Sequence, residues 1–322
     1  MRLGSVEVAL LSCLVLPGCL IDDMDVIDGD SDGDLGEEVG DASLAVISPN
    51  GMSLNGMSLN GMSLNGMSLN GMSLNGMSLN GMSLNGMSLN GMSLNGTLLG
   101  GTKSTGGTIS GAGLVGTKMN GTLSSGGTLV LRIDSATTLA APNTDVWAYG
   151  VSYALSGGAW APLCGSSSVL AVPVSGTFNY GSGVVGGGSW TASATAFTFG
   201  CRGTAIAKCV EFGYKPWKTV AGVLLRNHHV ACTRMIRADY CGDGKSWTVD
   251  GTLINLYDAL GIQLDAAAYK VDAEWLPTGA RCIDKLRDFQ VGKPTCEATK
   301  KSLPTCGTFA NGALLVDEYK LH

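Results

Sequence analysis

A five-residue repeat constrains this chain more than any other feature. Residues 51–95 are nine identical copies of Gly-Met-Ser-Leu-Asn, and glycine keeps the same register through Gly126, so that sixteen glycines share one frame. An apolar residue also recurs at a fixed offset. It is leucine in the perfect copies, and the later copies carry Leu99, Ile109, Leu114, Met119 and Leu129. A period of five fits neither an α-helix nor a simple strand, so the pattern predicts stacked units that bury this offset together.

This block resembles the pentapeptide-repeat family, in which each five-residue unit forms one side of a square right-handed β-helix. The resemblance predicts such a β-helix over residues 48–130, with the apolar residue pointing inward and a small residue, such as Thr97 or Thr117, two positions earlier. Four coils at ~4.8 Å per stacked strand would form a column ~19 Å tall, which is a short spacer. The alternative is a low-complexity linker without regular structure. Residues 51–130 contain no Asp or Glu, which argues against the DNA mimicry of some members of that family.

Residues 1–18 have the features of an export signal. One basic residue precedes an apolar run over residues 8–16, which leads into Leu16-Pro17-Gly18-Cys19. This sequence resembles the bacterial lipoprotein signal. The resemblance implies that Cys19 carries the lipid, becomes the mature N-terminus and anchors the protein in the cell envelope, where we expect the outer membrane. The alternatives are a plain secretory signal and a retained membrane segment, although the run is far shorter than the ~20 residues of a spanning helix.

Residues 19–47 are rich in acids and predict a flexible, solvated tether. The first half of a calcium-binding loop of the EF-hand type is matched by Asp28, Asp30, Asp32 and Asp34. The twelfth position, which needs an acid, is Val39, so we expect an acidic spacer, with calcium binding as the alternative and no other cofactor. This segment contains ten acidic and no basic residues, so it accounts for the negative net charge of −6, and the rest of the chain is slightly positive. Because the remainder is close to neutral, we expect no nucleic-acid partner.

Eight cysteines lie in the C-terminal part of the chain. They are Cys164, Cys201, Cys209, Cys232, Cys241, Cys282, Cys296 and Cys306. Their spacings are too long for a zinc knuckle or a redox motif. In an exported protein an even number of such cysteines predicts up to four disulfides, and free or metal-bound thiols are the alternative. The spacing leaves all 105 possible pairings open.

The pattern over residues 131–322 predicts a C-terminal domain of mixed structure, which we call the head. Apolar residues alternate with polar ones around Leu131 and again over residues 147–153, and two further runs, 169–180 and 190–199, flank a glycine-rich turn. Beyond Pro216 the period becomes helical, from Leu224 to near Gly242, with His228 and His229 on the core side. The predicted fold is therefore mainly β: a short pentapeptide-repeat β-helix followed by a disulfide-bonded, β-rich α+β domain.

The predicted helix ends in the tetrapeptide Ala238-Asp239-Tyr240-Cys241. With His229-x-Ala-Cys-x-Arg-x-x-Arg before it and Trp247-Thr-x-Asp-Gly-Thr after it, this segment resembles the bacterial family named for the tetrapeptide, the ADYC domain. The resemblance covers roughly residues 130–320. It implies an exported architecture, commonly behind repeats and a lipoprotein signal, and no particular activity.

Two readings of the motif remain. Ligand-type residues are concentrated here, namely His228, His229, Asp239, Asp243 and Asp250. They would suit a metal-dependent envelope hydrolase that uses the first four. Adjacent histidines, however, project ~100° apart on a helix, so we expect both to lie in the core. We also expect Asp239 to cap the helix or pair with Arg234 or Arg237, Tyr240 to pack in the core, and Cys241 to be bridged. No nucleophile or phosphate-binding motif is present in the sequence. The expected role is thus a non-catalytic surface interaction or scaffold module with an unidentified protein or glycan partner.

Overall fold

The computed structural model describes residues 48–50, 82–84, 87–103, 107–122, 128–155, 158–193, 196–249, 252–264, 269–287, 292–300 and 303–319. These ranges belong to one unit, Asp41–His322. The predictions for residues 1–47, which include lipidation of Cys19 and the calcium loop Asp28 to Asp34, lie outside the described residues. The same holds for the repeat over residues 51–81. Within the described ranges, none of the helices has the length and apolar character needed to cross a bilayer.

Strands dominate the described ranges. They are β1 Ser48–Asn50, β2 Met82–Leu84, β3 Met87–Asn95, β4 Leu98–Lys103, β5 Thr108–Ser110, β6 Lys118–Thr122, β7 Thr128–Thr138, β8 Trp147–Leu155, β9 Ala161–Pro162, β10 Ala171–Ser175, β11 Thr177–Phe178, β12 Trp190–Thr191, β13 Phe197–Cys201, β14 Thr219–Val220, β15 Val223–Leu224, β16 Thr252–Asp258, β17 Lys270–Leu276, β18 Gly279–Ile283 and β19 Leu315–Tyr319. The helices are α1 Ala205–Glu211, α2 Arg226–Ile236 and α3 Glu297–Lys300, and a 3-10 turn spans Gly111–Leu114. The prediction of a mainly β chain is confirmed, and the described ranges contain few helices.

Two antiparallel sheets carry most of these strands. The ten-stranded sheet has the order β13-β10-β8-β7-β6-β2-β3-β4-β5, with β9 paired to β8. The five-stranded sheet has the order β1-β16-β19-β17-β18. Two short hairpins, β11–β12 and β14–β15, complete the described sheet structure. The ten-stranded sheet contains strands from both sides of residue 130, so the predicted boundary between repeat and head falls inside β7.

The described repeat units form hairpins instead of coils. β3 and β4 pair antiparallel, from Asn95 opposite Leu98 to Leu89 opposite Lys103. The chain reverses at a two-residue turn that begins with Gly96, whose φ of 60° favours glycine. A right-handed β-helix stacks parallel strands, so the units described from residue 82 onward do not form the predicted β-helix. The turn residues are Gly96 and Thr97, and a glycine with positive φ at the first position is what a two-residue hairpin turn of type II′ requires.

The register of the repeat nevertheless sets which side chains are buried. Leu99, Leu114, Met119 and Leu129, all at the apolar offset, are 0 to 1% exposed. The prediction that this offset is buried is confirmed at these four positions, while Leu94 and Ile109 are half-buried. The same core continues along β7 and β8. Every residue of β8 from Ala148 to Ala154 is buried, so both faces of this central strand are covered.

Polar residues of the repeat register tie it to the head. Thr97 is fully buried, and its hydroxyl oxygen accepts a hydrogen bond of 2.7 Å from the main-chain N–H of Trp147. The main-chain N–H of Leu99 donates to the hydroxyl oxygen of Tyr149 at 2.9 Å. Thr117 is also fully buried and donates to the carbonyl oxygen of Leu114 at 2.6 Å. Thr97 and Thr117, each two positions before an apolar residue of the register, are therefore part of the core, whereas Thr102 and Ala112 at the same offset are exposed.

The helices differ from the sequence prediction in their bounds. α2 begins at Arg226 and not at Leu224, because Leu224 belongs to the β14–β15 hairpin, and it ends at Ile236 and not near Gly242. The early end has a local cause: Ala238 has a φ of 51°, which a continuing right-handed helix cannot contain. α1 was not predicted from the sequence. It packs against α2 and is linked to it by the Cys209–Cys232 disulfide.

Candidate functional site

The ADYC tetrapeptide forms a buried turn between α2 and the five-stranded sheet. Its first residue, Ala238, adopts the left-handed conformation and is fully buried. The carbonyl oxygen of Tyr240 accepts a hydrogen bond of 2.9 Å from the N–H of Ala280 in β18. The tetrapeptide is thus fixed by its backbone to the edge of this sheet.

Asp239 is the centre of a buried ionic cluster, which we call the motif cluster: Arg234, Arg237 and Asp239. One carboxylate oxygen of Asp239 forms an ion pair with Arg234 and lies 3.5 Å from Nη1 of Arg237. The same carboxylate accepts hydrogen bonds from the main-chain N–H groups of Asp243 at 3.1 Å and Gly244 at 3.0 Å. All three members are at most 2% exposed. The predicted pairing of Asp239 with an arginine is confirmed, and both arginines take part.

The two arginines of the motif cluster also bind main-chain carbonyl groups. Arg234 donates to the oxygen of Gly187 at 2.5 Å and to that of Pro277 at 3.1 Å. Arg237 donates to the carbonyl oxygen of Gly244. Burial lowers the pKa of Arg237 to about 10, although the Asp239 carboxylate opposes this shift. The cluster therefore joins α2 to three separate backbone segments.

One of those segments is a glycine-rich loop, residues 181–188. The N–H of Val184 donates to the carbonyl oxygen of Asp243 at 3.1 Å. A Cβ atom at Gly187 would overlap that carbonyl oxygen, so the close approach requires glycine. The tip of the loop carries two solvent-exposed apolar side chains, Val184 at 50% and Val185 at 102%. The motif cluster therefore fixes the base of a loop whose apolar tip faces solvent.

Tyr240 connects the tetrapeptide to the interior of the five-stranded sheet. Its ring stacks on that of Trp275, with 5.2 Å between centroids, and its hydroxyl donates to Oδ1 of Asp272 at 2.7 Å. Burial, followed by the nearby Asp272 carboxylate, raises the pKa of Tyr240 well above its usual range. Tyr240 is therefore a neutral hydrogen-bond donor, and the prediction that it packs in the core is confirmed.

A second buried ionic cluster lies beyond Tyr240, and the sequence did not suggest it. Nε of Arg287 donates to Oδ2 of Asp272 at 2.7 Å, and its Nη2 lies 2.9 Å from Oδ2 of Asp317. Nη2 also donates to the carbonyl oxygen of Met235 in α2 at 2.7 Å. All three charged side chains are fully buried. The residues are 15 to 45 positions apart in the chain, so no local pattern could have revealed them.

Cys241, the last residue of the tetrapeptide, is bonded to Cys296. The eight cysteines of the C-terminal part form four disulfides: Cys164–Cys201, Cys209–Cys232, Cys241–Cys296 and Cys282–Cys306. The prediction of four bridges is confirmed.

The two histidines are core residues with different neighbours. His229 is 1% exposed, and its Nε2–H donates to the carbonyl oxygen of Ile206 in α1 at 3.0 Å. Burial lowers the pKa of His229 to about 4, so the ring is neutral at neutral pH. His228 is 4% exposed and stacks on Tyr214, with 6.3 Å between ring centroids. Burial lowers its pKa too, although Asp258 opposes the shift.

The geometry does not bring the candidate metal ligands together. His228 and His229 contact Tyr214 and Ile206, Asp239 belongs to the motif cluster, and Asp243 accepts a hydrogen bond from the N–H of Lys245. Among the described residues, no three His, Cys, Asp or Glu side chains are arranged to hold a metal ion. Asp250 lies outside the described residues.

These features define a mainly β domain with four disulfides, in which a signature turn forms a structural junction of α2, the glycine-rich loop and the five-stranded sheet. The family model of the ADYC domain matches residues 111–288, more than half of the chain, so this protein belongs to the ADYC domain family. The match begins at residue 111, inside the repeat register, in agreement with the single sheet that joins both regions. Comparison with curated proteins gave no match, and comparison with solved structures gave none either.

Proposed function

We propose that the protein is a lipid-anchored component of the cell envelope whose head is a non-catalytic interaction or scaffold module. The observation that carries this proposal is that the residues of the ADYC tetrapeptide have structural roles. Ala238, Asp239 and Tyr240 are buried and Cys241 is bridged, and their polar groups are engaged within the chain. A residue that touches a substrate must be reachable, whereas these residues hold the fold together.

The envelope location rests on two independent features. The sequence ending in Cys19 resembles a lipoprotein signal, which would anchor the protein in the outer membrane through its lipid. Four disulfides favour an oxidising compartment. The acidic segment 19–47 would then form the tether between the membrane and the folded part of the chain.

The contact surface that we propose is the tip of the glycine-rich loop, residues 181–188. Val185 is fully exposed and Val184 half exposed, so the tip presents two neighbouring apolar side chains to solvent. The base of the loop is held by the motif cluster, so the tip is presented on a fixed support. Valine offers neither a stacking ring nor a hydrogen-bonding group, so the tip suits a protein partner better than a glycan.

Photo-crosslinking in intact cells tests the interaction. A photo-reactive amino acid at position 185 is expected to give a discrete adduct, whereas the same residue at position 115 is the matched control, because Val115 is also exposed, at 43%. Equal adducts from both positions, or none from position 185, would count against the loop as the contact surface.

Two measurements test the remaining parts of the proposal. Labelled palmitate is expected to enter the wild-type protein and not Cys19→Ser, and an unlabelled wild type would contradict the lipid anchor. Elemental analysis and thiol titration of the purified protein are expected to find neither bound metal nor free thiol in the head. A stoichiometric metal that is lost in His229→Ala or Asp239→Ala would support the metal-dependent hydrolase instead.

A further inference from the structure

Two aspartates lie side by side in the interior of the five-stranded sheet. Asp317 is in β19, opposite Ala273 of β17, and Asp272 precedes Ala273 at an irregularity in the pairing of the two strands. In a regular strand the side chains of residues 272 and 273 would point to opposite faces. Asp272 is the extra residue at this irregularity, and its side chain therefore takes a different direction. Asp272 thus reaches the same interior position as Asp317, and both carboxyl groups contact the guanidinium group of Arg287, Asp272 at 2.7 Å and Asp317 at 2.9 Å. We call them the buried carboxyl pair.

The charges around the buried carboxyl pair do not balance if both aspartates are ionised. Arg287 supplies one positive charge to two carboxyl groups. Among the residues that the structure describes, the other groups that face the pair are Tyr240 from the tetrapeptide, Trp275 of β17, Tyr319 of β19, the carbonyl oxygen of Met235 in α2 and, near Tyr319, Asp284. None of these adds a second positive charge. An unpaired charge in a fully buried position is costly, and two neighbouring carboxyl groups avoid the cost by keeping one proton between them.

The donors around the pair distinguish the two aspartates. Both oxygens of Asp272 already accept hydrogen bonds, Oδ1 from the Tyr240 hydroxyl at 2.7 Å and Oδ2 from Nε of Arg287 at 2.7 Å. A proton on either oxygen would face a donor, so Asp272 fits only as the anion. Asp317 differs: its Oδ1 accepts from Nε1 of Trp275 at 2.5 Å, while its Oδ2 lies 2.9 Å from Nη2 of Arg287 but accepts no well-aligned hydrogen bond. That oxygen has room for a proton.

We propose that the buried carboxyl pair holds one proton at neutral pH, carried on Asp317 and donated to Asp272, and that this proton fastens β19 to β17 and to the ADYC tetrapeptide. β19 lies between β16 and β17 in the sheet. When the proton is lost to solvent, a second negative charge remains in the interior without a partner. The head then becomes less stable, and β19 is the element expected to loosen first.

The direction of the pH effect follows from the pKa. Burial raises the pKa of Asp317 well above its usual range, and Arg287 only partly opposes this. The folded state therefore binds a proton that the unfolded state releases near pH 4. The stabilisation that the Asp317 carboxyl group contributes is fully present below its pKa in the unfolded chain. It is lost as the pH rises through its pKa in the folded protein. In that window the equilibrium constant for unfolding should increase by up to about tenfold per pH unit for one proton.

Asparagine substitutions in the full-length protein test the proposal. Asp317→Asn places an amide N–H where the carboxyl proton would be and keeps an oxygen for Trp275, so the variant is expected to fold and to lose this part of the alkaline dependence in urea unfolding between pH 6 and 10. Asp272→Asn points an amide at two donors and is expected to be destabilised at every pH. Similar destabilisation of both variants at pH 7, or an unchanged alkaline slope in Asp317→Asn, would overturn the proposal.

Infrared spectroscopy locates the proton directly and does not depend on Asp272→Asn being foldable. At pH 7 the wild type is expected to show the stretching band of a protonated carboxylic acid, and Asp317→Asn is expected to lack it. A wild type without this band, or a band that persists in Asp317→Asn, would overturn the assignment.

Discussion

The two sheets of this protein are stabilised in different ways. The ten-stranded sheet buries apolar side chains, such as Leu99, Leu131 and Ile133. The five-stranded sheet buries ionisable ones: Asp272 and Asp317 are fully buried and share a single arginine. The first kind of core requires only shape and volume. The second requires that every charge finds a partner of fixed geometry.

Glu274 illustrates how far the five-stranded sheet depends on such partners. Its side chain is fully buried, and its Oε1 accepts hydrogen bonds from three consecutive main-chain N–H groups, those of Gly307, Thr308 and Phe309, at 2.9 to 3.0 Å. Its Oε2 accepts from Asn311 at 3.1 Å. A single carboxylate thereby orders a loop that has little apolar surface of its own. Single substitutions should therefore have larger and more pH-sensitive effects in and around the five-stranded sheet.

The largest effect is expected from Asp239→Asn in the motif cluster. The substitution leaves Arg234 and Arg237 buried without a counter-charge, so we expect a loss of about 3–5 kcal/mol in the free energy of unfolding, measured by urea titration. The matched control is Asp134→Asn on the ten-stranded sheet, where Asp134 pairs with Arg132 and both side chains are 34% exposed. This control should lose only about 0.2–1 kcal/mol. Equal losses would remove the distinction between the two regions.

A comparable loss is expected from Leu131→Ala, but with a different pH dependence. Leu131 is fully buried in the ten-stranded sheet, and removing its side chain leaves a cavity that should cost about 2–5 kcal/mol. Because no ionisable group is involved, the loss should be the same at pH 5 and pH 9. Val115→Ala, at an exposed position, should stay within about 0.5 kcal/mol of the wild type. A strong pH dependence of the Leu131→Ala loss would show that the sheets are not energetically distinct.

Removal of the Cys241–Cys296 disulfide is expected to cost about 2–4 kcal/mol, because the bridge closes a long loop and thereby restricts the unfolded chain. The partners are 55 residues apart, and both are partly exposed. The Cys209–Cys232 bridge is fully buried. Mild reductant followed by alkylation and mass spectrometry should therefore label Cys241 and Cys296 first. Earlier labelling of Cys209 would contradict this order.

The smallest effect is expected for the partly exposed Asp145, which forms ion pairs with Lys215 and Lys218. Burial would raise the pKa of Asp145, but hydrogen bonds from the two lysines outweigh it and lower the pKa to about 2. The stabilisation that a carboxylate with a lowered pKa contributes is present above its pKa in the unfolded chain, which is near 4. It is lost as the pH falls toward 2. Since Asp145 is more than one-third exposed, Asp145→Asn should cost less than about 1 kcal/mol at pH 7 and nothing at pH 2. A constant cost across this range would rule out the ion pair as its source.

Several features of the fold could be read from the sequence because they depend on near neighbours. The apolar register of the repeat identified Leu99, Leu114 and Met119 as buried residues. The even number of cysteines indicated four bridges, and the tetrapeptide at 238–241 indicated the family. Strand positions followed from alternation. The lipid on Cys19 stays a prediction.

Tertiary structure decided what the local pattern could not. It turned the described repeat units into antiparallel hairpins, because pairing direction is set by where the chain reverses, as it does at Gly96. It chose one disulfide pairing from many, and it ended α2 at Ile236. Above all, it brought Asp272, Arg287 and Asp317 together. Periodicity reports the face on which a side chain lies, but the partner of a buried charge is fixed only when distant strands meet.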